Sequence, residues 1–159
     1  MVNNLIFLIP GEPQGKERPR FVRGRSVRTY TPASTHRYED LVRYYSRLAR
    51  SQHYIDKPVS QECGVSIKAY FGVPKSYSKK RRELCLSGKE HPAKKPDGDN
   101  IAKIILDGLN PKMKLDKVQH KRVCLAEGFY EDDKQVVNLS VEKFYSDKPH
   151  VEVRICWED

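Results

Sequence analysis

The sequence predicts an α/β (α+β) fold in which helices pack against a single mixed β-sheet. Apolar and polar residues alternate in several short stretches, as they do in half-buried strands. Two longer stretches instead carry apolar residues three and four positions apart, which is typical of amphipathic helices. The chain has 159 residues, a length that suits one domain with its own core. No repeat, low-complexity segment or linker divides it, so residues 1–159 are expected to form one domain.

The first half of the chain contains four predicted elements. Residues 5–9 predict a strand that ends at Pro10-Gly11. Residues 20–30 predict a two-stranded ribbon that turns at Gly24-Arg25. A helix is expected over residues 34–52, because their apolar side chains recur at helical intervals, and residues 65–71 alternate as a strand.

The second half adds two helices and two strands. Residues 76–86 predict a short basic helix closed by Gly88. Residues 99–109 predict a longer one, with isoleucines on one face. Its opposite edge carries charged side chains at four-residue spacing, namely Asp99, Lys103 and Asp107. Residues 136–141 and 151–157 predict two strands joined as a hairpin, which makes a mixed sheet with helices packed on it the expected architecture.

The beginning of the chain and its cysteines indicate a cytoplasmic protein. Only five consecutive apolar residues, 5–9, occur near the start, with no Lys or Arg before them. This run is too short for a signal peptide or a membrane span. The four cysteines are far apart and form no CxxC pair, which disfavours a zinc ribbon or a disulfide framework. We therefore expect buried structural thiols and no membrane partner.

The charge indicates a polyanionic partner. Thirty Lys and Arg against 21 Asp and Glu give a net charge of +9, and the excess lies in three runs, residues 16–28, 75–95 and 112–122. Each run alone is more simply a solvated loop. Together, interleaved with aromatic residues, they favour contact with a phosphate backbone. The candidate DNA-binding residues are Lys16, Arg18, Arg20, Arg23, Arg25, Lys79, Lys80, Arg81, Arg82, Lys94 and Lys95.

The segment Asp97-Gly98-Asp99 carries the strongest chemical signal. Two carboxylates on either side of a glycine, just before a helix, can converge, and Lys103 lies one turn further on. Residues 131–133 can supply a third carboxylate. Grouped oxygen ligands of this kind suit Mg²⁺, with Mn²⁺ as a possible substitute. No small-molecule cofactor is expected.

Such an ion can activate water and polarise a phosphodiester, while Lys103 stabilises the developing negative charge. Taken singly, the acidic residues have simpler interpretations. Asp99 is a good helix N-cap, Asp97 suits an Asx turn, and Asp132-Asp133 suits a polar turn. Considered together among basic flanks, they favour metal-assisted phosphodiester chemistry.

Residues 95–110, followed by Asp132-Asp133 and residues 135–137, resemble the signature of the RusA family of Holliday junction resolvases. Residues 10–20 and 30–39 are similar to the start of phage and prophage members. The resemblance implies a homodimeric, Mg²⁺-dependent endonuclease that cuts four-way DNA junctions symmetrically. It also implies a bacterial or phage setting. By matching motif position, it implies that Asp97, Asp99 and Asp133 are the metal-binding catalytic carboxylates and that Lys103 is the catalytic lysine. Asp107 is expected to have a supporting role.

The chain departs from the family pattern at residues 111–130. The family usually joins the helix to the second acidic motif by a short connection, whereas here a basic loop or helix is expected as an insertion. Two alternatives to a junction resolvase are also compatible with these residues. One is a Mg²⁺ nuclease acting on other branched or single-stranded substrates. The other is a non-catalytic nucleic-acid-binding protein whose acidic residues only cap and turn.

Overall fold

The computed structural model describes residues 1–24, 26 and 28–159, which form eight strands, three α-helices and one 3₁₀ turn. Their order along the chain is β1 (Val2–Pro10), β2 (Arg20–Val22), β3 (Arg28–Tyr30), α1 (Ala33–Gln52), β4 (Cys63–Gly72), α2 (Lys79–Leu86), α3 (Gly98–Leu109), β5 (Lys112–Asp116), β6 (Lys121–Ala126), the 3₁₀ turn (Asp133–Gln135), β7 (Val136–Ser146) and β8 (His150–Glu158). The predicted mixed α and β fold is confirmed.

The main sheet has four strands in the order β1-β8-β4-β7. β8 runs antiparallel to both of its neighbours, whereas β7 pairs with β4 in parallel. The predicted hairpin between β7 and β8 is therefore wrong, since the two strands flank β4 on opposite sides. Burial explains the difference: β8 buries four alternate residues from Val151 to Trp157 and takes an inner position, while β7 leaves Val137 and Leu139 exposed at an edge.

Helices α1 and α3 cover the apolar face of the sheet, and they pack closely on each other. A Cβ added to Gly108 would lie 2.6 Å from the Cβ of Val42, so only glycine allows this approach. Two buried arginines of α1 reinforce the contacts of the helix. Arg43 donates to the carbonyls of Asp107 and Asn110. The C-terminal end of α3 is thereby held against the middle of α1.

Residues 111–130, where a basic inserted loop or helix is expected, form neither of these: residues 112–126 are an antiparallel hairpin of β5 and β6. Its residues alternate poorly in polarity because both faces of the ribbon are open to solvent. The helix and strand assignments elsewhere are close to the predicted ones. Ser78 caps α2, and Gly88 follows its end at a φ of +81°.

None of the helices in the described part of the chain is long and apolar enough to span a membrane. The four cysteines are free thiols, of which Cys63 and Cys85 are buried in the core.

Candidate active site

Asp97 and Asp99 lie at the N-terminal end of α3. Asp97 occupies the N-cap position with an extended backbone (φ −68°, ψ 154°), yet its side chain makes no capping hydrogen bond. Asp99 lies in the first turn, and both side chains are exposed. Neither carboxylate hydrogen-bonds or ion-pairs with any residue that the structure describes. The helix dipole stabilises negative charge at this end, and the lack of partners in the described structure leaves both carboxylates able to bind a cation.

A cleft of about 860 Å³ opens beside Asp97. One wall is the segment 14–18 and the other is formed by residues 95–97 and Asn100. The two walls are fastened together, because the amide of Lys16 donates to the carbonyl of Asn100 at 2.9 Å. The fit at Gly15 is equally close, since a Cβ there would lie 2.6 Å from the Cβ of Pro96. Two separate basic runs of the sequence thus meet at the first acidic residue.

Lys16 lies in a chain of ion pairs that continues along α3. Its ammonium is 2.5 Å from Glu39 Oε1 and 3.1 Å from Asp107 Oδ2, and Asp107 Oδ1 is 3.6 Å from the ammonium of Lys103. Burial lowers the pKa of Lys16, but its hydrogen bonds to Glu39 and Asp107 outweigh that effect and leave the pKa raised. The expected pairing of Lys103 with Asp107 is confirmed, whereas Lys16 is neutralised by two carboxylates.

The adjacent aspartates of the second acidic motif have different surroundings. Asp132 caps the 3₁₀ turn: its carboxylate accepts the amide of Lys134 at 2.9 Å, and this bond lowers the pKa of Asp132. Gln135 completes the capping box and anchors the turn to the carbonyls of Val59 and Gln61. Asp133 is half-buried and accepts a hydrogen bond only from the side chain of Asn110, at 3.2 Å, among the described residues. Asp132 is therefore the structural member of the pair.

The structure does not bring Asp133 to the other two aspartates. Asp97 and Asp99 lie at the N-terminal end of α3, and Asp133 contacts Asn110, the residue that follows its C-terminal end. Twelve helical residues at 1.5 Å each put about 18 Å between the two positions. Accordingly, no three His, Cys, Asp or Glu side chains gather into a metal-binding group within residues 1–24, 26 and 28–159.

The residues at the N-terminal end of α3 nevertheless fit a small, hard divalent cation. Mg²⁺ usually takes only one or two protein carboxylates and completes its shell with water and substrate phosphate. Asp97 and Asp99 supply two such carboxylates, both exposed and without a protein partner in the described structure. Phosphates can approach from the adjoining basic cleft, so this end of α3 has the donors and the access that the ion needs.

Lys143 is a residue of this site that the sequence pattern did not single out. Its ammonium bonds the carbonyl of Lys94, two residues before Pro96, and so braces the loop that presents Asp97. Burial lowers the pKa of Lys143, with Asp97 acting in the opposite direction and Lys94 adding to the lowering. In the structure Lys143 shares an inward-facing side of β7 with Val141 and Tyr145, but it lies beyond the predicted strand 136–141, so the sequence offers no specific signal for it.

The remaining candidate DNA-binding residues differ in how free they are. On α2, Arg81 stacks on Tyr77 at 3.6 Å and pairs with Glu90 at 3.1 Å. Arg20 pairs with Glu17 at 3.5 Å. Arg25 lies outside the described residues. The others are exposed to solvent: Arg18, Arg23, Lys79, Lys80, Arg82, Lys94 and Lys95.

Carboxylates that have no partner in the described structure and lie beside a basic cleft are typical of a metal-assisted nuclease. Comparison with known proteins supports this class. The family model described as Endodeoxyribonuclease RusA matches residues 10–120 and 121–156. The protein YqaN of Bacillus subtilis (strain 168) is 35% identical over 152 residues, which cover 94% of this chain and 93% of that protein. The chain belongs to the RusA endodeoxyribonuclease family, as the sequence resemblance implied. Membership indicates a hydrolase of the Holliday-junction-resolving class that binds branched DNA.

Proposed function

We propose that this protein is a Mg²⁺-dependent, structure-selective endodeoxyribonuclease, with Mn²⁺ as a substitute ion, that resolves Holliday junctions in DNA recombination and repair. It acts as a homodimer and makes paired, symmetric cuts. The observation that carries the proposal is a pair of carboxylates, Asp97 and Asp99, that have no partner among the described residues and lie at the N-terminal end of α3 beside a cleft lined by Arg18 and Lys95.

Each residue has a role that follows from its position. Asp97 and Asp99 hold the ion, which when bound polarises the phosphodiester and activates water. Lys103 lies one turn beyond Asp99. Its side chain is 60% exposed and is held only by a 3.6 Å ion pair with Asp107, so its ammonium is free to turn towards the site and stabilise the negative charge that develops during cleavage. Arg18 and Lys95 bind the phosphates on either side of the cut.

The homodimer also accounts for Asp133. Two matched cuts on a nearly two-fold symmetric junction require two equivalent sites, which a two-fold dimer supplies. Asp133 contacts Asn110 at the far end of α3, a helix about 18 Å long, so it does not join Asp97 and Asp99 within one chain. Antiparallel apposition of two α3 helices would place Asp133 of the partner subunit beside Asp99. We therefore propose that each site draws carboxylates from both chains.

Cleavage of a mobile four-way junction tests the function. With Mg²⁺, the wild type cuts two opposed strands, and EDTA abolishes cutting. Asp99→Asn loses at least about a hundredfold of the rate yet binds the junction as before, whereas Asp147→Asn, an exposed residue outside the site, cuts normally. Asp99→Asn cutting at the wild-type rate would contradict the active-site assignment. Cutting of flaps or single strands in preference to junctions would instead favour the broader nuclease, and binding without cutting a non-catalytic protein.

Mixed dimers test the shared site. Asp99→Asn and Asp133→Asn homodimers are each expected to be inactive. A mixed dimer with one chain of each kind keeps one complete site if the carboxylates come from different chains, and none if they come from the same chain. We expect such dimers to nick one strand and to bind Mn²⁺ at one site, measured by electron paramagnetic resonance. Mixed dimers that neither nick nor bind Mn²⁺ would show that Asp133 does not complete the partner's site.

A further inference from the structure

The hairpin of β5 and β6, residues 112–126, is an arm that the proposed chemistry does not use. It carries five Lys and Arg against the single acid Asp116. Its strands pair with each other, and within the described structure no other element packs extensively on them. At about 3.3 Å per residue, the five residues of β5 carry its apex roughly 17 Å from its base. A charged, projecting ribbon of this kind suits an external partner rather than the core.

The arm leaves and re-enters the fold at one narrow neck. A Cβ on Gly128 would lie 2.4 Å from the carbonyl oxygen of Leu109 and 2.6 Å from the carbonyl carbon of Asn110, so only glycine closes this neck. The base is fixed to α1 by an ion pair of Lys112 with Asp40 at 2.9 Å. Asn110 at the neck also bonds Asp133. The arm therefore begins beside one of the proposed catalytic carboxylates.

The apex of the arm is a hydrogen-bonded turn that exposes one apolar side chain, Val118. Asp116, its only acid, is turned inward: its Oδ1 accepts the amides of Val118 at 2.9 Å and Gln119 at 3.3 Å. His120 adopts a positive φ of +52° to complete the turn. This arrangement presents Val118 with 88% of its surface exposed, and Leu115 below it with 57%. The arm therefore presents an exposed valine at the tip of a basic hairpin. This combination suits a partner with an anionic surface and an apolar interior.

Branched DNA has that combination at its branch point, where phosphates surround base pairs with one open face. Proteins that kink or open DNA insert apolar side chains between bases while basic residues hold the flanking phosphates. The five positive charges disfavour an ordinary apolar protein partner and are complementary to DNA. Insertion would withdraw Val118 from water, which offsets the cost of unstacking.

We propose that the arm is a branch-point wedge: Val118 inserts against the unstacked bases at the centre of the junction, while Lys114, Lys117 and Lys121 bind the surrounding phosphates. The proposal rests on the proposed function only in taking branched DNA as the ligand. It does not require cleavage, so it can fail while the nuclease assignment stands. Conversely, an inactive protein could still use the arm to bind a junction.

Fluorescence of 2-aminopurine, placed at the branch point of a four-way junction, tests the wedge in the presence of EDTA. Saturating wild-type protein should raise the fluorescence several-fold, because the probe brightens when it unstacks. The same probe placed one helical turn along an arm of the DNA should stay dim. Val118→Ser should lose the rise, whereas Val137→Ser, an exposed valine on β7, should keep it. Lys117→Ala should weaken binding and its salt dependence but leave the fluorescence at saturation unchanged.

A shortened protein provides a second measurement. Lys112 and Ala126 face each other across the ribbon, so Asn-Gly can replace residues 113–125 while the ion pairs Lys112–Asp40 and Arg50–Glu127 are retained. This variant should fold and bind duplex DNA, but lose its preference for the junction. Absence of a fluorescence rise with the wild type, or a rise that Val118→Ser retains, would overturn the proposal. So would dissociation of the dimer by Val118→Ser in sedimentation, since the tip would then be covered by a second copy.

Discussion

Replacing Lys16 with methionine tests whether this residue stabilises the fold or binds DNA. Its side chain is 21% exposed and its ammonium contacts two carboxylates that are themselves largely buried, Glu39 (11% exposed) and Asp107 (19%). Methionine preserves the length and the apolar stem but leaves Glu39 without an ion-pair partner in the described structure, and Asp107 with only the exposed Lys103 at 3.6 Å. Arg18→Met is the matched control, because Arg18 lines the same cleft and pairs with no acid in the described structure.

The size of the effect follows from the degree of burial. An exposed ion pair contributes about 0.2–1 kcal/mol, and removing one member of a fully buried pair costs about 3–5 kcal/mol. With about a fifth of each side chain or less exposed, Lys16→Met should lower the free energy of unfolding by about 2 kcal/mol. In a chain of this length that corresponds to a fall in Tm of about 4–8 °C. Adding Glu39→Gln should recover about half of the loss, because it removes the buried charge that residue 16 no longer pairs.

Urea unfolding followed by the fluorescence of Trp157, the single tryptophan and a buried one, measures the stability. Junction affinity at several salt concentrations measures the DNA contact. We expect Lys16→Met to lose stability and keep the salt slope, and Arg18→Met to keep stability and reduce the slope by about one. A Lys16→Met protein as stable as the wild type, yet with weaker junction binding, would refute the structural role.

Three further experiments address the site and its supports. Asp132→Ala should lose about 1 kcal/mol of stability, because the cap of the 3₁₀ turn is removed, but should still cut junctions. Asp133→Asn should keep its stability and lose cleavage. The opposite pair of results would exchange the structural and catalytic roles of the two aspartates. Gly108→Val should cost about 3 kcal/mol in urea unfolding, because its Cβ would lie 2.6 Å from the Cβ of Val42. Junction affinity should fall steeply with salt, and a flat dependence would exclude binding by the basic residues.

The elements themselves were largely predictable, whereas their pairing was not. Residues 151–157 alternate clearly, so β8 was expected as a strand, but alternation does not specify a neighbour. That β8 lies between β1 and β4 depends on hydrogen bonds to strands far away in the chain. The arm was missed for a different reason. With both faces of its ribbon exposed, residues 112–126 lack the polar and apolar alternation that indicates a strand.

At the site, the sequence located both acidic motifs but did not show which aspartates cap a turn and which are free to bind an ion. The sequence could not distinguish a capping aspartate from a free one, because both fit the same pattern before a turn. The structure assigns the cap to Asp132 through the amide of Lys134 and leaves Asp97 without one. Lys143 escaped notice because a single lysine within a strand has the appearance of ordinary surface charge, and only its bond to Lys94 connects it with Asp97.

By itself, the sequence determined the class of fold, the helix that begins at Asp97-Gly98-Asp99, the basic runs and the family. These follow from local periodicity and from the chemistry of neighbouring residues, which a single chain segment contains. Only the tertiary structure decided that Lys16 pairs with Glu39, 23 residues away, and that α3 separates Asp133 from the other aspartates. Both outcomes depend on how distant segments pack, and the cost of leaving charges unpaired in a half-buried site selects the partners.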